Sequence, residues 1–172
     1  MTDPLSALEP HLALWRSHPE EFVRQVIGIE PDKWQVEALR LVRAHDRVAL
    51  RSGHGPGKSA LLSWLILQTL IESILERKTC KVPCTAPTSH QLDDVLWGEI
   101  SLWHRRMAEP FKSLLVVKAE KVEVVGLEAT NFAVARTARR EQPEAFQGFH
   151  AEKLLFLGDE ASAIPEIIFE VG

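Results

Sequence analysis

At 172 residues the chain fits one domain and can bury a sizeable core, and its 45% hydrophobic and 26% charged content is ordinary for a soluble globular protein. A formal net charge of −4 excludes an overall nucleic-acid signature. The apolar segment over residues 60–75 is broken by Ser63, Gln68, Thr69, Glu72 and Ser73, which reads as a buried helix and not a membrane span.

In chain order, Leu5, Leu8, Leu12 and Trp15 recur at helical spacing despite Pro10, predicting one or two short amphipathic helices over residues 4–16. The N-terminus lacks the basic and apolar regions of a signal peptide. Ser17 or His18 before Pro19, with Glu20 and Glu21 in the first turn, predicts a helix carrying Phe22, Val23, Val26 and Ile27 that stops at Gly28. Pro31, Asp32 and Lys33 open another, with an apolar face of Trp34, Ala38, Leu41 and Val42. Within it, Gln35 has the donor and acceptor to read an adenine edge, and Trp34 can stack on a base or anchor the helix.

Residues 47–60 carry the densest signal. Val48, Ala49 and Leu50 read as a buried strand feeding the loop Ser52, Gly53, His54, Gly55, Pro56, Gly57, which opens into Lys58, Ser59, Ala60 and a long apolar helix. Strand, glycine loop, Gly-Lys-Ser and helix together are the pattern of a phosphate-binding loop. Glycines let backbone N–H groups turn inward on phosphate oxygens, and the helix adds its positive dipole end. Lys58 would reach the β- and γ-phosphates and the Ser59 hydroxyl would ligate Mg²⁺. The strict pattern has glycine where this chain has Ser52, with Gly53 following.

Past Arg77 and Lys78, residues 79–85 read as a strand that Pro83 makes an edge or irregular one. Cys80 and Cys84, the only cysteines, are poorly spaced to bridge and read as small buried hydrophobes in a reducing cytoplasm. Thr88 or Ser89 caps a helix bearing Leu92, Val95, Leu96, Ile100, Trp103 and Met107. Residues 121–126 and 131–136 alternate as a hairpin around 126–130. A short helix over 141–147 closes at Gly148, and another begins at Pro165. Between them Leu154, Leu155, Phe156 and Leu157 read as a fully buried parallel strand ending in Asp159 and Glu160. In open α/β sheets ligands sit outside the carboxyl ends of the strands, so both motifs can meet on one nucleotide. Asp159 would hold Mg²⁺, and Glu160 would orient or deprotonate the attacking water. Residues 101–140 hold Arg105, Arg106, Lys112, Lys118, Lys121, Arg136, Arg139 and Arg140 against four glutamates, a mixed surface or a local polyanion face.

The order of these pieces resembles the ATPase domain of the large terminase subunit of tailed phages and prophages, the motor that packages DNA into procapsids. The resemblance runs through residues 31–35, 51–59, 86–91, 137–139, 147–150 and 157–162. It implies an α/β phosphate-loop NTPase of the RecA/ASCE type. That fold has a three-layer core with a mostly parallel sheet, here preceded by helices over residues 1–45. It implies ATP and Mg²⁺ as cofactors, with catalytic Lys58 and Glu160. It assigns nucleotide-binding roles to Gln35, Trp34 and residues 52–60, and metal roles to Ser59 and Asp159. The partners it implies are double-stranded DNA, further copies in a ring, a portal protein and a small terminase subunit, in a bacterial cytoplasm and without a membrane. Many members carry an arginine in the phosphate loop where this chain has His54, so a transition-state arginine would come from Arg51, Arg105, Arg106, Arg136, Arg139, Arg140 or a neighbouring subunit. The chain stops before the family's coupling motif and nuclease domain, so it reads as a truncated piece inclined to self-associate. A helicase-like ATPase and a nucleotide-holding module without turnover are the competing readings.

Overall fold

The apolar run after Gly57 folds as predicted, into a helix α4 spanning Lys58–Glu76 that is buried on nearly every side. It belongs to a computed structural model that describes residues 8–51, 53, 55, 57–137 and 148–166. Some polar groups inside α4 make local bonds. Ser63 Oγ donates to the Ser59 carbonyl, Ser73 Oγ donates to that of Leu70, and Gln68 Nε2 donates to Glu72. Among the described residues α4 is the one helix long and apolar enough to cross a membrane, yet 78% of that window is buried inside the fold.

Three helices precede it. Pro10 sits in the first turn of α1 (Glu9–Ser17), where its missing N–H costs nothing, and Leu12 and Trp15 turn inward. Residues 1–7, with the expected Leu5 contact, lie outside the described residues. α2 (Glu20–Phe22) widens into a π-type segment, Val23–Ile27, and stops at Gly28 with φ 80°, the left-handed turn the sequence anticipates. In α3 (Lys33–Ala44) the buried side is Gln35, Ala38 and Leu39. That is rotated from the predicted Trp34, Ala38, Leu41 and Val42, and Leu41 is exposed.

β1 (Cys80–Thr85) is central in a six-stranded mixed sheet, so the fold is α/β. It pairs in parallel with β4 (Asn131–Ala135) on one side, and with β5 (Lys153–Leu154) and β6 (Leu157–Gly158) on the other. β4 continues antiparallel to β3 (Lys121–Val124) and then to β2 (Leu115–Val117). The predicted hairpin is therefore present, and β2 is a strand the sequence reading lacked. A helix over Trp97–Arg106, α5, is entered through a π-type segment, Gln91–Leu96. The short helix predicted over 141–147 lies outside the described residues, as does most of the one predicted from Pro165.

Three expectations are corrected. Pro83 marks no edge, because β1 has neighbours on both sides. The carbonyls of Lys81 and Thr85 accept from Leu155 and Asp159, so the donor that Pro83 lacks would have faced the same side. The ladder between β5 and β6 is interrupted there, at residues 155–156. Second, the acid-ended strand is not fully buried: Leu154 is 47% exposed and Leu155 and Phe156 are half-buried. Third, residues 47–51 form no strand, and Ala49 and Leu50 are exposed. Both edges of β1 are already occupied, and residues 47–51 ladder with neither β5 nor β6.

One face of the sheet carries the core. Cys80, Val82, Cys84, Val122, Val124, Ala133, Ala135 and Leu157 join α4 and α5 in one apolar cluster. Cys80 Sγ lies 4.0 Å from the Thr69 carbonyl of α4, and both cysteines are free and buried, as expected. Burial pushes the Cys80 thiol up to about 11 and raises Cys84 further. By alternation Lys81, Phe132, Lys121 and Glu123 share the opposite face, where the Lys121 ammonium sits 4.3 Å from the centre of the Phe132 ring. The expected third layer is not among the described elements, whose long helices α4 and α5 pack on the first face.

Candidate functional site

The site is assembled where α4 begins and where β1 and β6 end. Gly57 precedes α4 with φ 82°, a left-handed conformation that side chains rarely adopt. A Cβ added there would stand 2.9 Å from Gln35 Nε2. Gly55 is also left-handed, with φ 81°. Among the described residues no side chain caps the first turn of α4, and no acidic residue stands in it. The leading N–H groups of α4 point out of the helix start without acceptors of their own within the helix, as at any helix N-terminus. Gly53 is exposed, and Ser52, His54 and Pro56 lie outside the described residues.

Gln35 is buried, and both ends of its amide are engaged. Its Oε1 accepts from the Asp32 N–H at 2.9 Å, closing the first turn of α3, and its Nε2 donates to the Gly57 carbonyl at 3.2 Å. The residue expected to read adenine thus ties the first turn of α3 to the glycine that opens α4. Trp34 beside it is half-buried and packs on the core.

On the sheet side, the Asp159 N–H donates to the Thr85 carbonyl at 2.9 Å, which fixes the acid at the carboxyl end of β6. Asp159 is buried, at 8% exposure, and its Oδ1 accepts from the Glu160 N–H at 3.0 Å. Burial is the main cause that pushes its carboxyl above the ordinary range. The Glu160 charge adds to the rise, while that hydrogen bond and the Lys58 ammonium oppose it. Lys58 and Asp159, which are 101 positions apart, are therefore within electrostatic reach of each other. Glu160 is exposed and held at φ 50°, ψ 45°, where it opens a short 3-10 turn, Ala161–Ala163. Non-glycine residues in that region cost on the order of 1–3 kcal/mol and concentrate at functional sites.

The raised Asp159 value carries a sign. The fold holds the protonated form more tightly than the unfolded chain does, so this residue opposes stability as pH rises above the ordinary aspartate value of about 3.9. Asp159→Asn is accordingly expected to raise Tm at pH 7, by roughly 2–4 °C. The gain should vanish near pH 3.5 in paired thermal scans. A lower Tm at pH 7 would contradict the assignment of a strained acid.

Of the arginines offered for a transition state, Arg51, Arg105 and Arg136 are exposed. The Arg106 guanidinium sits 5.3 Å from the centre of the Trp103 ring, and Arg139 and Arg140 lie outside the described residues. A different charged group went unnoticed in the sequence: Lys153 at the start of β5 donates to Glu72 at 2.9 Å and Glu76 at 3.2 Å on α4. A lysine opening an apolar strand, and a glutamate inside an apolar helix, are the signal that could have found it.

The chain matches no protein-family model, no curated protein and no solved structure.

Proposed function

We propose that this chain binds and hydrolyses ATP with Mg²⁺, as the motor domain of a terminase large subunit that couples hydrolysis to packaging of double-stranded DNA. The observation that supports it most is the meeting of Lys58 with Asp159. A cation at a glycine-preceded helix start lies within electrostatic reach of a buried acid at a strand's carboxyl end. Two halves of one motif pair, remote in sequence, would serve one nucleotide from there.

The residues fit the group. Ser59 and Asp159 offer hard oxygen donors of the kind Mg²⁺ takes, and would hold it. Bound there, the ion would supply charge neutralisation between phosphate oxygens. The N–H groups opening α4 would bind phosphate oxygens, and Lys58 would neutralise the terminal ones. Glu160, exposed beside the buried Asp159, would take the proton of the attacking water. Asp159 orients it through the Glu160 N–H. The phosphate-loop NTPase fold belongs to this reading, and so do a ring of copies, a portal protein and a small subunit as partners.

The test is titration of the chain with a fluorescent ATP analogue, in EDTA and in Mg²⁺, together with phosphate release. Saturable binding that Mg²⁺ strengthens, with turnover, is expected; no saturation at millimolar ATP would end the reading. Duplex DNA, if met by the cations of residues 101–140, should bind with a steep negative dependence on salt, and a flat salt profile would contradict that contact.

A further inference from the structure

The strand that ends in Asp159 is tied to the helix that starts at Lys58 at the far end of both. Glu72, wholly buried in α4, accepts from Lys153 Nζ at 2.9 Å, from Gln68 Nε2 at 2.9 Å and from Arg43 of α3. One turn on, Glu76 accepts from the same Lys153 Nζ at 3.2 Å and from Arg16 of α1 at 3.1 Å, with Lys78 Nζ at 3.9 Å. Burial pushes the Glu76 carboxyl up, but Lys153 and Arg16 outweigh it and hold it below the ordinary range. Lys153 is itself only 19% exposed and joins both carboxylates.

The lengths of the two elements match. From Lys58 to Glu72 the helix rises about 21 Å, and from Lys153 to Asp159 the chain spans about 20 Å. Lys153 opens β5 beside Glu72 and Glu76 near the end of α4, and Asp159 ends β6 within electrostatic reach of Lys58 at its start, so the segment runs alongside α4 in the opposite sense. Between these two points the strand's own ladder is weak: it is broken at residues 155–156 opposite Pro83, and Leu154 is half exposed.

We propose that Lys153 is a positioning residue. By bridging Glu72 and Glu76 it sets the axial register of the β5–β6 segment against α4, and so the placement of Asp159 and Glu160 relative to Lys58 and Ser59. The inference rests on the nucleotide reading for its consequence, but the register itself can be measured without nucleotide. Removing the ammonium leaves Glu72 with Arg43 and Gln68, so the buried carboxylate keeps partners and the variant should fold.

The experiment compares wild type, Lys153→Met and Lys153→Arg by amide hydrogen exchange and by ATP affinity, each with EDTA and with Mg²⁺. In Lys153→Met the Leu155 and Asp159 amides, which donate to Lys81 and Thr85, are expected to exchange at least tenfold faster. Amides in the middle of α4 should be unchanged. The strengthening of ATP binding by Mg²⁺ should fall about tenfold while affinity in EDTA stays within twofold, and Lys153→Arg should restore both. Faster exchange spread evenly over α4 and the sheet would mean a general stabilising role and would overturn the proposal, as would unchanged exchange at Leu155 and Asp159. Local loosening with no ATP binding by wild type would uphold the register and remove the nucleotide reading. ATP binding with an undiminished Mg²⁺ gain in Lys153→Met would do the reverse.

Discussion

Glu160→Gln is expected to bind ATP as tightly as wild type and to release phosphate about 10²- to 10⁴-fold more slowly, the usual contribution of a positioned general base. Glu160 is exposed and gives only its N–H to the neighbouring acid, so the amide replaces the carboxylate without disturbing a buried contact. The left-handed backbone at this position is a property of the turn and is expected to survive the change. Binding retained and turnover lost is therefore the signature, measured by titration and single-turnover phosphate release on one preparation. Equal turnover in variant and wild type would assign the base elsewhere. Turnover absent from both, with binding intact, would favour a nucleotide-holding module.

Lys58→Ala carries the second large effect. Truncating one partner of a desolvated charge pair costs about 2–5 kcal/mol, so ATP affinity should weaken from roughly 30-fold to more than a thousandfold. Alanine is the strongest helix former, and Lys58 is the first residue of α4, so the helix itself should persist. Loss of the ammonium also removes an opposing influence on Asp159, whose carboxyl should rise further. The check is affinity by titration beside Tm at pH 7. Unchanged affinity in a folded variant would remove Lys58 from the phosphate site, and the proposed activity with it.

Much of this arrangement was legible in the residues. α4 follows from a long apolar segment between Gly57 and Arg77 that polar residues interrupt but do not end, and the hairpin from alternation either side of Gly126. The electrostatic reach between Lys58 and Asp159 agrees with the order of the motifs, although only Asp159 follows a strand of the sheet. What was not legible depended on neighbours. Val48, Ala49 and Leu50 have strand composition, but a strand exists only in a ladder, and β1 had no free edge to offer. Pro83 reads as an edge or irregular position, and it is the irregularity, not an edge, that stands opposite it. The structure admits it centrally because the broken ladder of β5 and β6 asks for no donor there. β2 is three residues long with Val116 exposed, too short for any period to show. Gln35 was read by its chemistry as a base contact, while the fold gives both its amide atoms to backbone.

The enclosure of α4 has a consequence for how occupancy would be detected. The helix whose first turn would grip an anion is also the one around which the apolar cluster closes. Local release of that turn is thus tied to melting of the whole, and a ligand seated there should delay global denaturation instead of merely quieting a loop. At a hundredfold excess over Kd the delay corresponds to about 2.7 kcal/mol. A simple melting curve in rising nucleotide would then report saturation directly.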